Sequence, residues 1–148
     1  MPGRFATAVL PLLAVLGTVS PAGPPADSGG GGEDRLTLTV ARTGVPGRDG
    51  TYELRCHPSG GSHREPGRAC AHLDGATVWG RGPFAPVPPD SVCTGQYGGP
   101  ATAHVTGTWA GRPVDARFSR TDGCEMARWD ALVPFLPATA GAYAGPVM

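Results

Sequence analysis

Four cysteines and four histidines carry the most reactive side chains of this 148-residue chain, and their spacing decides between metal binding, catalysis and cross-linking. His57, His63, His72 and His104 do not fall at metal-ligand spacing with free cysteines or carboxylates, and a zinc ion would compete with disulfide formation for the thiols. No Gly-x-Ser-x-Gly elbow is present, and Asp90-Ser91 with a histidine elsewhere is too common a combination to signal a triad. The residues therefore assign no catalytic group, metal or cofactor, and the chain reads as a non-enzyme. His63 reads as a structural residue. The segment Val92-Cys93-Thr94-Gly95-Gln96-Tyr97 is of a different kind: short, mixed in polarity and expected to be exposed, with a cysteine at which a cross-link would pin it to the body.

Whether the cysteines are oxidised depends on where the chain goes. Arg4 gives a positive start, residues 5–19 are apolar, and Ser20-Pro21-Ala22 supplies small residues for cleavage, so residues 1–22 read as a signal peptide cut after Ala22. The apolar run is shorter than the roughly 20 residues of a membrane span, and no second one follows, so the product is expected to be secreted and extracellular, without a membrane partner. In a small exported domain, four cysteines are more often two disulfides than a metal site, with three pairings open. All 12 basic residues are arginine, against 12 acidic ones, so the basic field that drives nucleic-acid binding is absent.

The elements that would carry the segment follow from periodicity. Residues 23–34, with Pro24-Pro25 and four consecutive glycines, have little to bury and read as a flexible leader; one domain is expected over 35–137. Leu36, Leu38 and Val40 alternate with Thr37 and Thr39, the pattern of a half-buried strand whose apolar face suits either the core or a partner. After a turn over 44–50, residues 51–56 make a plausible antiparallel neighbour. A helix starts near Pro66 and runs to about Asp74, presenting Ala69, Cys70 and Leu73 on one side. The 80–89 stretch, with Pro83, Pro86, Pro88 and Pro89, cannot be regular helix or central strand and forms a stiff loop leading to Ser91. Residues 102–108 and 112–118 read as a hairpin turning at Ala110-Gly111; a second short helix is expected around 124–129, a last strand over 131–136, and a disordered tail over 138–148.

Several of these stretches together resemble the Streptomyces subtilisin inhibitor-like family. The resemblance rests on Leu54-Arg55-Cys56-His57-Pro58, on Gly61-Ser62-His63 and Pro66-Gly67-Arg68-Ala69-Cys70 around the first cysteines, on Val105-Thr106-Gly107-Thr108-Trp109, and on Phe118-Ser119 followed by Cys124-Glu125-Met126. It extends over about 36–136. It implies an α+β fold, an antiparallel sheet of about five strands with two short helices on one face, and disulfides Cys56–Cys70 and Cys93–Cys124, each closing a loop worth roughly 3 kcal/mol in the chain-entropy model. It also implies a reversible inhibitor of an extracellular serine protease, of subtilisin or chymotrypsin type, and a homodimer formed through the exposed faces of two sheets.

Carried over by residue, the family pattern puts Val92 at P4, Cys93 at P3, Thr94 at P2, Gly95 at P1, Gln96 at P1′ and Tyr97 at P2′, with Gly95–Gln96 as the scissile bond. Gly95 departs from the long side chain the family places at P1. The primed side, with Gly98-Gly99-Pro100, is one residue longer than the family's. Asp122 stands nearest to an asparagine whose amide braces the loop in the family, and a carboxylate cannot donate as an amide does. Asp122 and Cys124 are accordingly the expected loop supports. The alternative is a secreted binding scaffold of the same fold without tight inhibition, for which Gln96 on an exposed loop suggests a connection with transglutaminases.

Overall fold

The computed structural model describes residues 34–78 and 81–140, with isolated positions 2, 3, 8, 10, 11 and 17 before them. The expected cleavage site, nearly all of the flexible leader and residues 141–148 of the tail lie outside the described residues. Among the described residues, no helix is long and apolar enough to cross a membrane.

Among the described residues the fold consists of four strands and two helices: β1 (Asp34–Ala41), β2 (Gly50–Cys56), α1 (Pro66–Ala76), β3 (Thr102–Trp109), β4 (Arg112–Phe118) and α2 (Gly123–Asp130). The sheet is antiparallel throughout, in the order β2-β1-β3-β4. Its register lines up Leu36 with Leu54, Leu38 with Val105, Val40 with Ala103, Val105 with Ala116, and Ala103 with Phe118. These side chains share one face because strand side chains alternate, and all of them are buried. Leu36, Leu38 and Val40 thus belong to the core, and the opposite face carries Thr37, Thr39, Thr106 and Asp115.

α1 closes the core with Ala69, Cys70 and Leu73, as the spacing predicts, and Cys56–Cys70 ties it to the end of β2. Pro66 opens the helix, where its missing N–H costs no intrahelical bond. At the other end the Thr77 hydroxyl donates to the Leu73 carbonyl (2.7 Å) and accepts from the Trp109 indole N–H (2.8 Å). The buried indole is thereby satisfied. The hairpin turns at Ala110 and Gly111, both left-handed (φ 49° and 75°), the conformation that matches the twist of a two-residue turn.

His57 follows β2 and bridges two acids. Its Nδ1 lies 2.6 Å from Asp34 Oδ2 and its Nε2 3.0 Å from both carboxylate oxygens of Asp74, joining the start of β1 to α1. These hydrogen bonds, to Asp74 foremost and then Asp34, raise the His57 pKa from its ordinary value. His63 is structural, as expected: its Nε2 donates to the Phe135 carbonyl (2.8 Å), its Nδ1 accepts from the Glu65 N–H (3.0 Å), and its ring stacks on Phe135.

Among the described residues the antiparallel sheet has four strands, one fewer than the about five expected. Residues 131–136 turn on themselves, with Leu132 N–H donating to Trp129, Val133 N–H to Asp130 and Leu136 N–H to Leu132. Pro134 has no N–H for a ladder. The segment's apolar content serves a different end: Leu132, Phe135 and Leu136 plug the core. Beyond it, Ala140 N–H donates to the Thr43 carbonyl and Thr139 is buried, so residues 138–140 lie against the body.

Candidate functional site: a loop held at both ends

Residues 91–97 form no regular structure, and Val92 and Tyr97 are fully and 65% exposed. Between them Thr94, Gly95 and Gln96 are also exposed.

The approach to this segment is stiffened from one side by Arg128, on α2. Its guanidinium donates to the carbonyls of Ala85 (2.9 Å), Phe84 (3.1 Å) and Arg117 (2.6 Å), and lies over the Phe118 ring at 3.9 Å. One planar, multi-donor side chain thus ties the proline-rich stretch to β4 and α2, which a lysine could not do. Partial burial lowers the Arg128 pKa from its ordinary value, with Glu125 acting in the opposite direction.

At the unprimed end the cross-link Cys93–Cys124 joins the segment to the first turn of α2. One residue on, the Gly123 N–H donates to the Thr94 carbonyl (3.0 Å). A Cβ at Gly123 would strike the Thr94 hydroxyl, so a larger residue there requires that side chain to shift. The second anchor is Gly98. Its N–H donates to the Arg120 carbonyl (2.7 Å), and its own carbonyl accepts from Arg120 Nε (3.3 Å). A Cβ at Gly98 would overlap the Met126 side chain, which would have to move to admit a larger residue.

Between the Thr94 and Gly98 anchors only Gly95, Gln96 and Tyr97 are left to move. Backbone entropy is the main cost of ordering a loop, on the order of 1–2 kcal/mol per residue. Here the part of it that falls on Cys93, Thr94 and Gly98 is met in folding, before any partner arrives, which leaves three residues to be ordered on binding.

Asp122 acts on this arrangement through the helix. Its Oδ1 accepts from the Glu125 N–H (2.9 Å), capping α2 and fixing the turn that carries Gly123 and Cys124. Among the described residues, one of its oxygens and the sulfurs of Cys93 and Cys124 lie within 4.8 Å of one another. The sulfurs are bonded to each other, so the set offers a cation no thiolates. The residues that sequence reasoning passed over are Gly98, Arg120, Gly123 and Arg128. For Arg120 a signal existed: continuing the inward alternation of Ala116 and Phe118 by two residues points it into the core.

Residues 33–121 match the model of the subtilisin inhibitor-like family. Over 85 residues the chain is 39% identical to subtilisin inhibitor-like protein 1 of Streptomyces cacaoi, covering 54% of this chain and 73% of that protein. Among solved structures it is similar to a chain in the crystal structure of Streptomyces caespitosus sermetstatin in complex with Bacillus licheniformis subtilisin, at 23% identity and a TM-score of 0.43, covering 70% of this chain and all of that one. The family model spans well over half of the sequence, including the whole four-stranded sheet and the 92–98 loop, and on that ground the chain belongs to the subtilisin inhibitor-like family.

Proposed function

We propose that this chain is a secreted, reversible inhibitor of an extracellular serine protease of subtilisin or chymotrypsin type, which it engages by offering residues 92–97 as a substrate with Gly95–Gln96 at the scissile position. Membership of the subtilisin inhibitor-like family supports protease inhibition as the class of activity. The observation that carries the finer reading is the three-residue span between the Thr94 and Gly98 anchors. A protease nucleophile attacking Gly95 would find both sides of the bond tethered, so the leaving amine stays beside the acyl group and can reform the amide. Val92 suits an apolar pocket on the unprimed side, and Tyr97 supplies an aromatic anchor on the primed side.

The test is a titration of subtilisin and chymotrypsin with the secreted protein. Stoichiometric loss of activity that recovers on dilution supports the reading; steady consumption of the protein as an ordinary substrate contradicts it.

A second reading, a binding scaffold of the same fold without tight inhibition, is favoured by Gly95 itself, which has no side chain to fill a primary specificity pocket. Gln96 exposed beside it fits a transglutaminase-related scaffold of that kind. A two-fold dimer, in this account, uses the sheet face bearing Thr37, Thr39 and Thr106, because Leu36, Leu38 and Val40 are committed to the core.

A further inference from the structure

Arg120 is fully buried, and among the described residues it is the one side chain of permanent charge in the interior. Nη1 donates to Asp130 Oδ1 (2.6 Å), Nε to the Gly98 carbonyl, and the Trp129 ring centroid lies 5.9 Å from the guanidinium carbon. Nη2 is buried without a partner. As a stabilising device this is a poor choice. A buried ion pair rarely outdoes a well-packed apolar side chain, and an unsatisfied buried N–H is a net cost. Its distinctive feature is the grip on Gly98, whose N–H and carbonyl are both bonded to this one residue.

We propose that Arg120 is a positioning residue of the inhibitory loop, holding the Gln96–Gly98 side of the scissile bond in place after attack so that the bond reforms. This rests on the loop reading given above. In the acyl-enzyme the Gly95 carbonyl carbon is esterified to the protease serine, and Gln96 carries the released amine. Attack of that amine on the ester forms the amide and expels the serine oxygen, which takes up the proton the amine loses through the enzyme's base. On the acyl side, Cys93–Cys124 and Gly123 keep Thr94 in register. On the amine side, only Gln96 and Tyr97 separate the new terminus from Gly98, so the nucleophile stays near as long as Arg120 holds.

The experiment compares the full exported protein with Arg120→Met and Asp130→Asn, by amide hydrogen exchange and by the ratio of cleaved to intact protein at equilibrium with catalytic subtilisin. Asp130 is about half exposed, and its variant supplies both readouts if Arg120→Met does not fold. The expected result is a wild-type Gly98 amide protected while Gln96 and Tyr97 exchange freely. In Arg120→Met, Gly98 exchange and the cleaved fraction should both rise about 10- to 100-fold, the range for losing one charge-assisted hydrogen bond, with the Val105 amide unchanged. Asp130→Asn should move both in the same direction. A wild-type Gly98 exchanging as fast as Gln96, or folded variants that leave the ratio unmoved, would overturn the proposal. A wild type that neither inhibits nor is cut at Gly95–Gln96 overturns the inhibitory reading and the resealing role with it, while Gly98 protection still reports whether Arg120 holds the segment.

Discussion

In the proposed binding mode Gly95 stands where a side chain would enter the primary pocket of a protease, and nothing lies within 4 Å of the position its Cβ would occupy. The backbone there is outside the left-handed region, so a larger residue is accommodated without strain. Burying a methionine-sized side chain contributes about 1.5–3 kcal/mol, and restricting the glycine backbone adds roughly 0.5–1 kcal/mol. Together these predict that Gly95→Met tightens inhibition of subtilisin roughly 30-fold to several hundred-fold. Gly95→Lys should create inhibition of trypsin. Inhibition constants of the two variants check this, and folded variants inert toward both enzymes favour the scaffold reading. His57 supports a second prediction at this scale. Asp74 and Asp34 raise its folded pKa above the unfolded value of about 6.5. The stabilisation is therefore fully present below that value and lost as pH rises through the folded pKa. Because His57 is left-handed (φ 60°), asparagine is a compatible replacement. Melting temperatures should fall from about pH 6 to about pH 9 in wild type relative to His57→Asn, and parallel curves would contradict the assignment.

The second disulfide and the hairpin turn show how elements divide the work. Cys93–Cys124 spans a sequence separation of 31 residues, worth roughly 3–4 kcal/mol by loop-closure entropy. The core of sheet, α1 and the 131–136 plug is separately tied by Cys56–Cys70. Replacing Cys93 and Cys124 together by alanine should lower stability by about that amount, leave a folded protein, and convert the loop into an ordinary substrate. Circular dichroism with a cleavage time course checks both halves. At the β3–β4 turn, Ala110 adopts φ 49°, which costs a non-glycine residue roughly 1–2 kcal/mol. Glycine there loses about 0.4–1 kcal/mol of that gain through the freer unfolded chain. Ala110→Gly should still be more stable than wild type in urea; an unchanged or lower midpoint would show that the turn carries no such strain.

At the scale of the whole molecule, the parts legible in the sequence were those where periodicity and turn residues agree. Leu36, Leu38 and Val40 alternate with threonines, and Pro66 opens a helix whose Ala69, Cys70 and Leu73 face the core; local pattern and burial pointed the same way. Residues 131–136 misled because an apolar run of that length fits a strand or a core plug equally well, and tertiary packing decided between them. The exposed course of 92–97 could be anticipated from its composition and its cysteine, but its hold on the body could not. Arg120 could have been placed inward by continuing the alternation of Ala116 and Phe118, whereas Arg128 looks like a surface charge in the sequence, and only the fold reveals that it reaches three carbonyls. Asp122, expected as a loop support, lies near the Cys93 and Cys124 sulfurs and caps the first turn of α2, which carries Cys124. In the proposed mode of action a three-residue span, fixed at Thr94 and Gly98, is presented for attack at a single bond. The most direct measurement is terminal sequencing of the protein after prolonged incubation with a catalytic amount of subtilisin, without reduction. The account predicts one cut, a new amino terminus at Gln96, two fragments still joined through Cys93–Cys124, and the same cleaved-to-intact ratio whether the incubation starts from intact or cleaved protein. Cleavage at other bonds, or complete digestion that never reverses, would contradict it.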